Sequence, residues 1–214
     1  MMSEYILQPP QSIGMSIPNV AVSRIEQDDA ALVSASQVGD QDAFALLVQR
    51  HQRRVFNLVY RMLQQYEEAN EVTQETFLAA WQGLSGFRGN ALFSTWLYRI
   101  AYNCTLKQIE QRKRDNALQV AIQTEQTELI DSDERVGAQL EAHDRQKLVR
   151  EYLSTLPAKY RIVLVLRHLQ EMTYEEMAEI LTLPIGTIKT HLFRARNLLK
   201  ERLEAFEQEW RTRG

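Results

Sequence analysis

Apolar positions recur every three or four residues through most of the chain, and no segment shows the period-two alternation of a half-buried strand. Phe44, Leu47, Val48, Val55, Leu58, Val59 and Met62 mark one long amphipathic helix, and Val72, Phe77, Ala80, Trp81 and Leu84 mark a second. Gly83, Gly86 and Gly89 then interrupt the pattern, after which Trp96, Leu97, Ile100, Ala101 and Cys104 open a third helix. Residues 1 to about 26 carry Pro9, Pro10, Gly14 and Pro18 with little periodicity, which predicts a flexible extension. From about Asp115 to Asp144 the chain is acidic, Gln-rich and poorly periodic, as a linker would be. Helical periodicity returns from Arg145 to about Arg202, with Pro157 well placed at a helix start. The expected fold is therefore all-α: two small helical domains, 27–114 and 146–214, joined by a flexible acidic linker over 115–145.

Within the second domain, residues 172–203 read MTYEEMAEILTLPIGTIKTHLFRARNLLKERL, two helices joined by a turn. Thr173 and Glu176 have the spacing of a capping box, and Pro184 with Gly186 predicts the break, after which Thr187 is the expected cap. In the second helix Ile188, Leu192, Ala195, Leu199 and Leu203 share one face, leaving Lys189, Thr190, His191, Arg194, Arg196 and Lys200 on the others. A helix entering a major groove needs such donors for phosphates and base edges. An amphipathic hairpin with a solvated basic face has the same pattern, so this stretch alone leaves both readings open.

The formal charge of the 214-residue chain is −3, unlike a free-standing nucleic-acid binder. The charge is unevenly placed, however. Arg99, Lys107, Arg112, Lys113 and Arg114 face a single acid, Glu110, in their stretch, whereas Asn116 to Gln146 holds seven acids against Arg135 and Arg145. Blocks of this kind point to segments with different partners. The one cysteine, Cys104, excludes an intramolecular disulfide and a cysteine-rich metal site, and it is expected as a small core residue. His51, His143, His168 and His191 lack ligand spacing, so no metal or other cofactor is expected. No apolar run approaches the roughly 18 residues of a membrane span and no basic-then-apolar leader is present, which predicts a cytoplasmic protein.

Residues 87–103, FRGNALFSTWLYRIAYN, concentrate aromatic and polar side chains ahead of a basic helix. Aromatic faces stack on unpaired bases, at roughly 1 to 3 kcal/mol per base, while cations hold the backbone. Trp96 and Phe93 as plain core residues are the competing reading. With DQDAFALLVQRHQRRVFNLVYRML from Asp40, ANEVTQETFLAAW from Ala69 and LPAKYRIVLVLRHLQEMTYEEMAEILTLPIGTIKTHLFRAR from Leu156, this segment completes an ordered set. In that order and spacing the chain resembles a bacterial RNA polymerase sigma factor of the sigma-70 family, of the extracytoplasmic-function (ECF) type.

The resemblance implies a promoter-specificity subunit without catalytic residues, acting with core RNA polymerase through its β′ clamp helices and its β subunit. It implies promoter DNA as the second partner and an anti-sigma factor as a regulator. Glu67, Glu68, Glu71 and Glu75 would form the acidic face for the clamp helices, and a merely solvated face is the alternative. Asn70 stands where many relatives carry aspartate, which removes one charge from that set. Phe87, Trp96, Ile100 and Asn103 would line or support the pocket that captures a flipped minus-ten base, with Arg112, Lys113 and Arg114 holding the adjacent DNA. Lys189, Thr190, His191, Phe193, Arg194 and Arg196 would lie on the helix reading the minus-thirty-five element, His191 replacing an expected arginine. The two elements lie about 50 to 60 Å apart at 3.4 Å per base pair, a span that about 30 extended residues can cross. The linker's acidity would suit basic polymerase channels, and an inert spacer fits equally.

A homodimeric helix-turn-helix repressor or activator competes with this reading, but it leaves residues 87–103 without a role. A nuclease or NTPase would show a phosphate-binding G-x-x-x-x-G-K-[ST] loop or a metal-binding carboxylate pair, and neither occurs.

Overall fold

The computed structural model describes residues 28–123 and 153–213. The expected N-terminal extension lies outside the described residues, as does most of the expected linker. Seven principal helices order the rest: α1 (Asp29–Gln37), α2 (Gln41–Leu63), α3 (Tyr66–Gly83), α4 (Phe93–Gln123), α5 (Ala158–Leu169), α6 (Tyr174–Leu181) and α7 (Ile185–Arg213). A single 3₁₀ turn, Leu84–Gly86, follows α3. No strand occurs among the described residues.

Local chemistry explains the boundaries. Asp28 and Asp40 cap α1 and α2 by accepting from Ala31 and Ala43 N–H at 2.8 and 3.0 Å. α2 ends where Gln64 turns left-handed, at φ 64°. Thr173 and Glu176 form the full capping box of α6, with both reciprocal bonds present. The turn into α7 differs from the expectation. The helix starts at Ile185, so Gly186 and Thr187 lie in its first turn rather than ahead of it. Pro184 sits just outside, where its ring meets no preceding turn and its carbonyl accepts from Thr187 and Ile188 N–H at 2.9 and 3.1 Å. α4 likewise runs on through Gln123, into the stretch read as linker.

α2, α3 and α4 enclose the first core around Leu47, Leu58, Val59, Ala69, Val72, Ala80, Leu97 and Ala101, all fully buried. α5, α6 and α7 enclose the second around Ile162, Val165, Leu166, Met177, Ile180, Ile188 and Ala195. Cys104 is only half-buried and packs at the edge of the first core. The two cores meet, with α4 packing on α6 and α2 on α5. Arg161 of α5 donates across this seam to the Met62 carbonyl and, within its own domain, to the Ser154 and Leu156 carbonyls at 2.5 and 3.0 Å. Burial lowers its pKa, and its buried Nε has no hydrogen-bond partner.

Candidate nucleic-acid interface

The first candidate surface is built where the 3₁₀ turn hands the chain to α4. Gly89, at φ 70°, makes the reversal that a side chain would resist, and it returns Phe87 toward the start of α4. Phe87 and Trp96 then meet at 5.0 Å between ring centroids, and Phe93 lies 6.1 Å from Phe87 and 5.8 Å from Trp96. The indole packs over Gly83, where a Cβ would sit in ordinary van der Waals contact with Trp96 Cζ2, at 3.5 Å. Phe93 is buried and is the floor of the cluster, whereas Phe87 and Trp96 are half-exposed. The core reading therefore holds for Phe93, while Phe87 and Trp96 keep part of each ring in solvent.

Further support comes from residues that sequence patterning did not single out. Gln37 of α1 donates its amide to the Leu84 and Phe87 carbonyls, at 3.0 and 2.8 Å, and so ties the turn to the first helix. His51, only 5% exposed, packs edge-on to Phe93 at 5.5 Å and places Nε2 2.6 Å from Asp29 Oδ2. Arg50 closes on the same carboxylate at 2.6 Å. Contacts this distant in sequence leave no periodic trace.

Helical spacing places Trp96, Ile100, Asn103, Lys107 and Arg114 on one face of α4, since they recur at four, three, four and seven residues. Asn103, Lys107 and Arg114 are exposed there. Arg112 and Lys113 point elsewhere. Arg112 Nη1 lies 3.9 Å from Glu68 Oε2, close enough to pair as ions but too far for a hydrogen bond. Arg112 and Lys113 also line an open cleft of about 290 Å³ at the domain seam, with Met62, Ile109, Leu156 and Arg161. The expected basic trio is therefore split, with Lys107 joining Arg114 on the pocket side.

The acidic face of α3 is divided as well. Glu67, Glu71 and Glu75 are exposed, but Glu68 is half-buried against α4 and its Oε2 is sealed from solvent. Gln74 and Leu78 share the outward face with Glu67 and Glu71, and Leu78 is 57% exposed.

On α7 the outward residues are Lys189, Thr190, Phe193, Arg194 and Arg196, together with Asn197 and Lys200. Phe193 is 65% exposed although large and apolar. Thr190 Oγ1 donates to the Gly186 carbonyl at 2.9 Å. His191 differs: it is half-buried, edge-on to Tyr160 at 5.4 Å, with Nδ1 sealed and unbonded. Desolvation first, then the charges of Lys159 and Arg194, hold its pKa below the ordinary imidazole value. Arg194 is near enough to donate to the Tyr160 hydroxyl, at a long 3.5 Å. No group of three or more metal-ligating side chains occurs among the described residues. None of their helices is long and apolar enough to cross a membrane.

A half-exposed aromatic cluster on one helical domain and an exposed basic helix face on the other are the two candidate nucleic-acid surfaces. Known proteins resemble this chain. Residues 47–115 match the model of Sigma-70 region 2, and residues 146–199 match that of Sigma-70, region 4. The chain is 37% identical over 175 residues to the ECF RNA polymerase sigma factor SigW of Bacillus subtilis (strain 168), covering 77% of this chain and 91% of that one. Among solved structures it is similar to CnrH in complex with the cytosolic domain of CnrY, with a TM-score of 0.61, 26% identity, and coverage of 83% and 97%. It is also similar to the sigma factor RpoE in complex with the anti-sigma factor NepR from Bartonella quintana, with a TM-score of 0.60, 26% identity, and coverage of 75% and 96%. The chain belongs to the sigma-70 family of RNA polymerase sigma factors, in its extracytoplasmic-function branch.

Proposed function

We propose that this sigma factor works in the cytoplasm, without catalytic residues of its own, by spending binding energy on strand separation within the polymerase holoenzyme. Residues 27–114 dock on core polymerase and open the minus-ten region, and residues 146–214 read the minus-thirty-five element. Glu67, Glu71 and Glu75 meet the basic clamp helices of β′. The half-exposed Phe87 and Trp96 rings over the Phe93 floor carry the melting role, because they offer an apolar slot beside exposed Asn103, Lys107 and Arg114. Extruding a base costs a few kcal/mol, which stacking and edge contacts inside such a slot offset. On α7, Lys189, Thr190, Phe193, Arg194 and Arg196 supply base and phosphate contacts, and His191 serves as a packed spacer. An anti-sigma factor as a third partner is supported by the solved relatives, one of which is bound to such a protein.

The test separates melting from binding. With holoenzyme on a duplex promoter, Trp96→Ala and Asn103→Ala should reduce permanganate reactivity of minus-ten thymines, Trp96→Ala by the roughly 1 to 3 kcal/mol of one lost stacking contact. Initial duplex binding should hold. Normal reactivity in both variants would place base capture elsewhere.

A further inference from the structure

α1 carries no aromatic or basic residue, yet both of its ends are tied to the parts of the aromatic cluster. At its start, Asp29 holds His51 Nε2 on Oδ2 and Arg50 Nη1 on Oδ1, each at 2.6 Å. His51 in turn lies edge-on to Phe93, the buried ring beneath Phe87 and Trp96, at 5.5 Å. At its end, Gln37 Nε2 donates to the Leu84 carbonyl at 3.0 Å and to the Phe87 carbonyl at 2.8 Å. Those two carbonyls bracket the 3₁₀ turn from which Phe87 leaves. Between the two ends Leu32, Val33 and Ser36 are buried, and the helix packs on α2. The turn's own closure is the bond from Phe87 N–H to the Leu84 carbonyl, at 3.1 Å. Gly86 and Gly89 lie on either side of Phe87, and glycine loses more conformational freedom on ordering than any other residue. The ring is therefore held from outside its own segment.

From this we infer that Gln37 and the Asp29–His51 pair are positioning residues for base capture, with α1 a strut that sets Phe87 over the Phe93 floor before DNA arrives. The inference rests on the base-capture role proposed above for Phe87 and Trp96. Gln37 acts on the turn that carries the upper ring, and His51 acts on the floor. A slot ordered in advance spares the cost of ordering it when the base enters. Extruding a base is itself costly, so any added ordering cost falls directly on the captured state. Gln37 is exposed, so its removal leaves the core intact and the effect on the slot can be read separately from folding.

Holoenzyme binding to single-stranded minus-ten oligonucleotides, each lacking one base in turn, reads capture directly. In the wild type, loss of the captured base should weaken binding more than loss of any other. Gln37→Ala should weaken binding of the intact oligonucleotide about fivefold, which is within what two hydrogen bonds contribute. It should leave binding of the oligonucleotide without the captured base unchanged, and its thermal midpoint should match the wild type. His51→Phe keeps a ring against Phe93 but cannot bond Asp29, and it should shift binding in the same selective way. Equal weakening of both oligonucleotides by Gln37→Ala, or none of either, would overturn the strut. An unaltered His51→Phe would overturn the part assigned to the Asp29–His51 pair. A wild type indifferent to every missing base would overturn base capture itself, and the strut with it.

Discussion

An imidazole replaces the expected guanidinium on the reading helix, and its surroundings decide what it does. His191 is pressed against the edge of Tyr160 with Nδ1 sealed, and Lys159 and Arg194 oppose its protonation. The lowered pKa favours its neutral form at pH 7, which offers little charge toward phosphate. Because its folded pKa is lowered, the unfolded chain binds the proton more readily. Stability present above the ordinary value of about 6.5 is lost as pH falls from there through the lowered pKa. Thermal unfolding followed from pH 7.5 to about 5 should accordingly show a steeper loss for the wild type than for His191→Gln, which cannot titrate there. Equal slopes would place His191 in solvent. The substitution was visible in the sequence, but its cause was not, because Tyr160 lies on another helix at a separation of 31 residues.

Single faces of helices, rather than whole helices, carry the separate tasks. Periodicity alone made the outward faces of α3, α4 and α7 legible, as it did the capping box of α6, since these depend on local spacing. What it could not show was which polar residues a neighbouring helix would claim. Glu68 shares the acidic stretch with Glu71 and Glu75 yet turns toward Arg112, and Arg112 and Lys113 leave the pocket side of α4 for the seam. Hence Glu71→Lys with Glu75→Lys should weaken association with core by roughly tenfold or more, as repulsion of about 1.4 kcal/mol would. Glu68→Lys should have a smaller effect on core and should lower stability, because it places a cation beside Arg112. Co-elution with core at two salt concentrations, paired with urea unfolding, measures both. Equal loss of core binding in the two variants would return Glu68 to the docking face.

For the molecule as a whole, net charge and the packing of the two domains act in the same direction. A chain of formal charge −3 whose reading heads are packed together has little to hold duplex DNA alone. Free protein should bind a promoter fragment weakly, whereas holoenzyme should bind tightly with an affinity that falls steeply with salt. Mobility shifts with and without core polymerase test this, and tight sequence-specific binding by a free dimer would favour the repressor reading. Two domains were readable from the gap in periodicity, but their contact was not, because a few hydrogen bonds to backbone carbonyls carry no residue pattern. The unbroken run of α4 has a consequence of phase. Trp96 and Arg114 sit on the same side only because the residues between them complete whole turns, at about 100° per residue. Removing seven residues between them would shorten the rod by about 10 Å and return Arg114 to nearly its present bearing. Removing two would swing it by about 200°, to the back of the helix. The length of this helix is thus free to change only in steps, as the thread of a screw admits only whole turns if its slot is to face the same way.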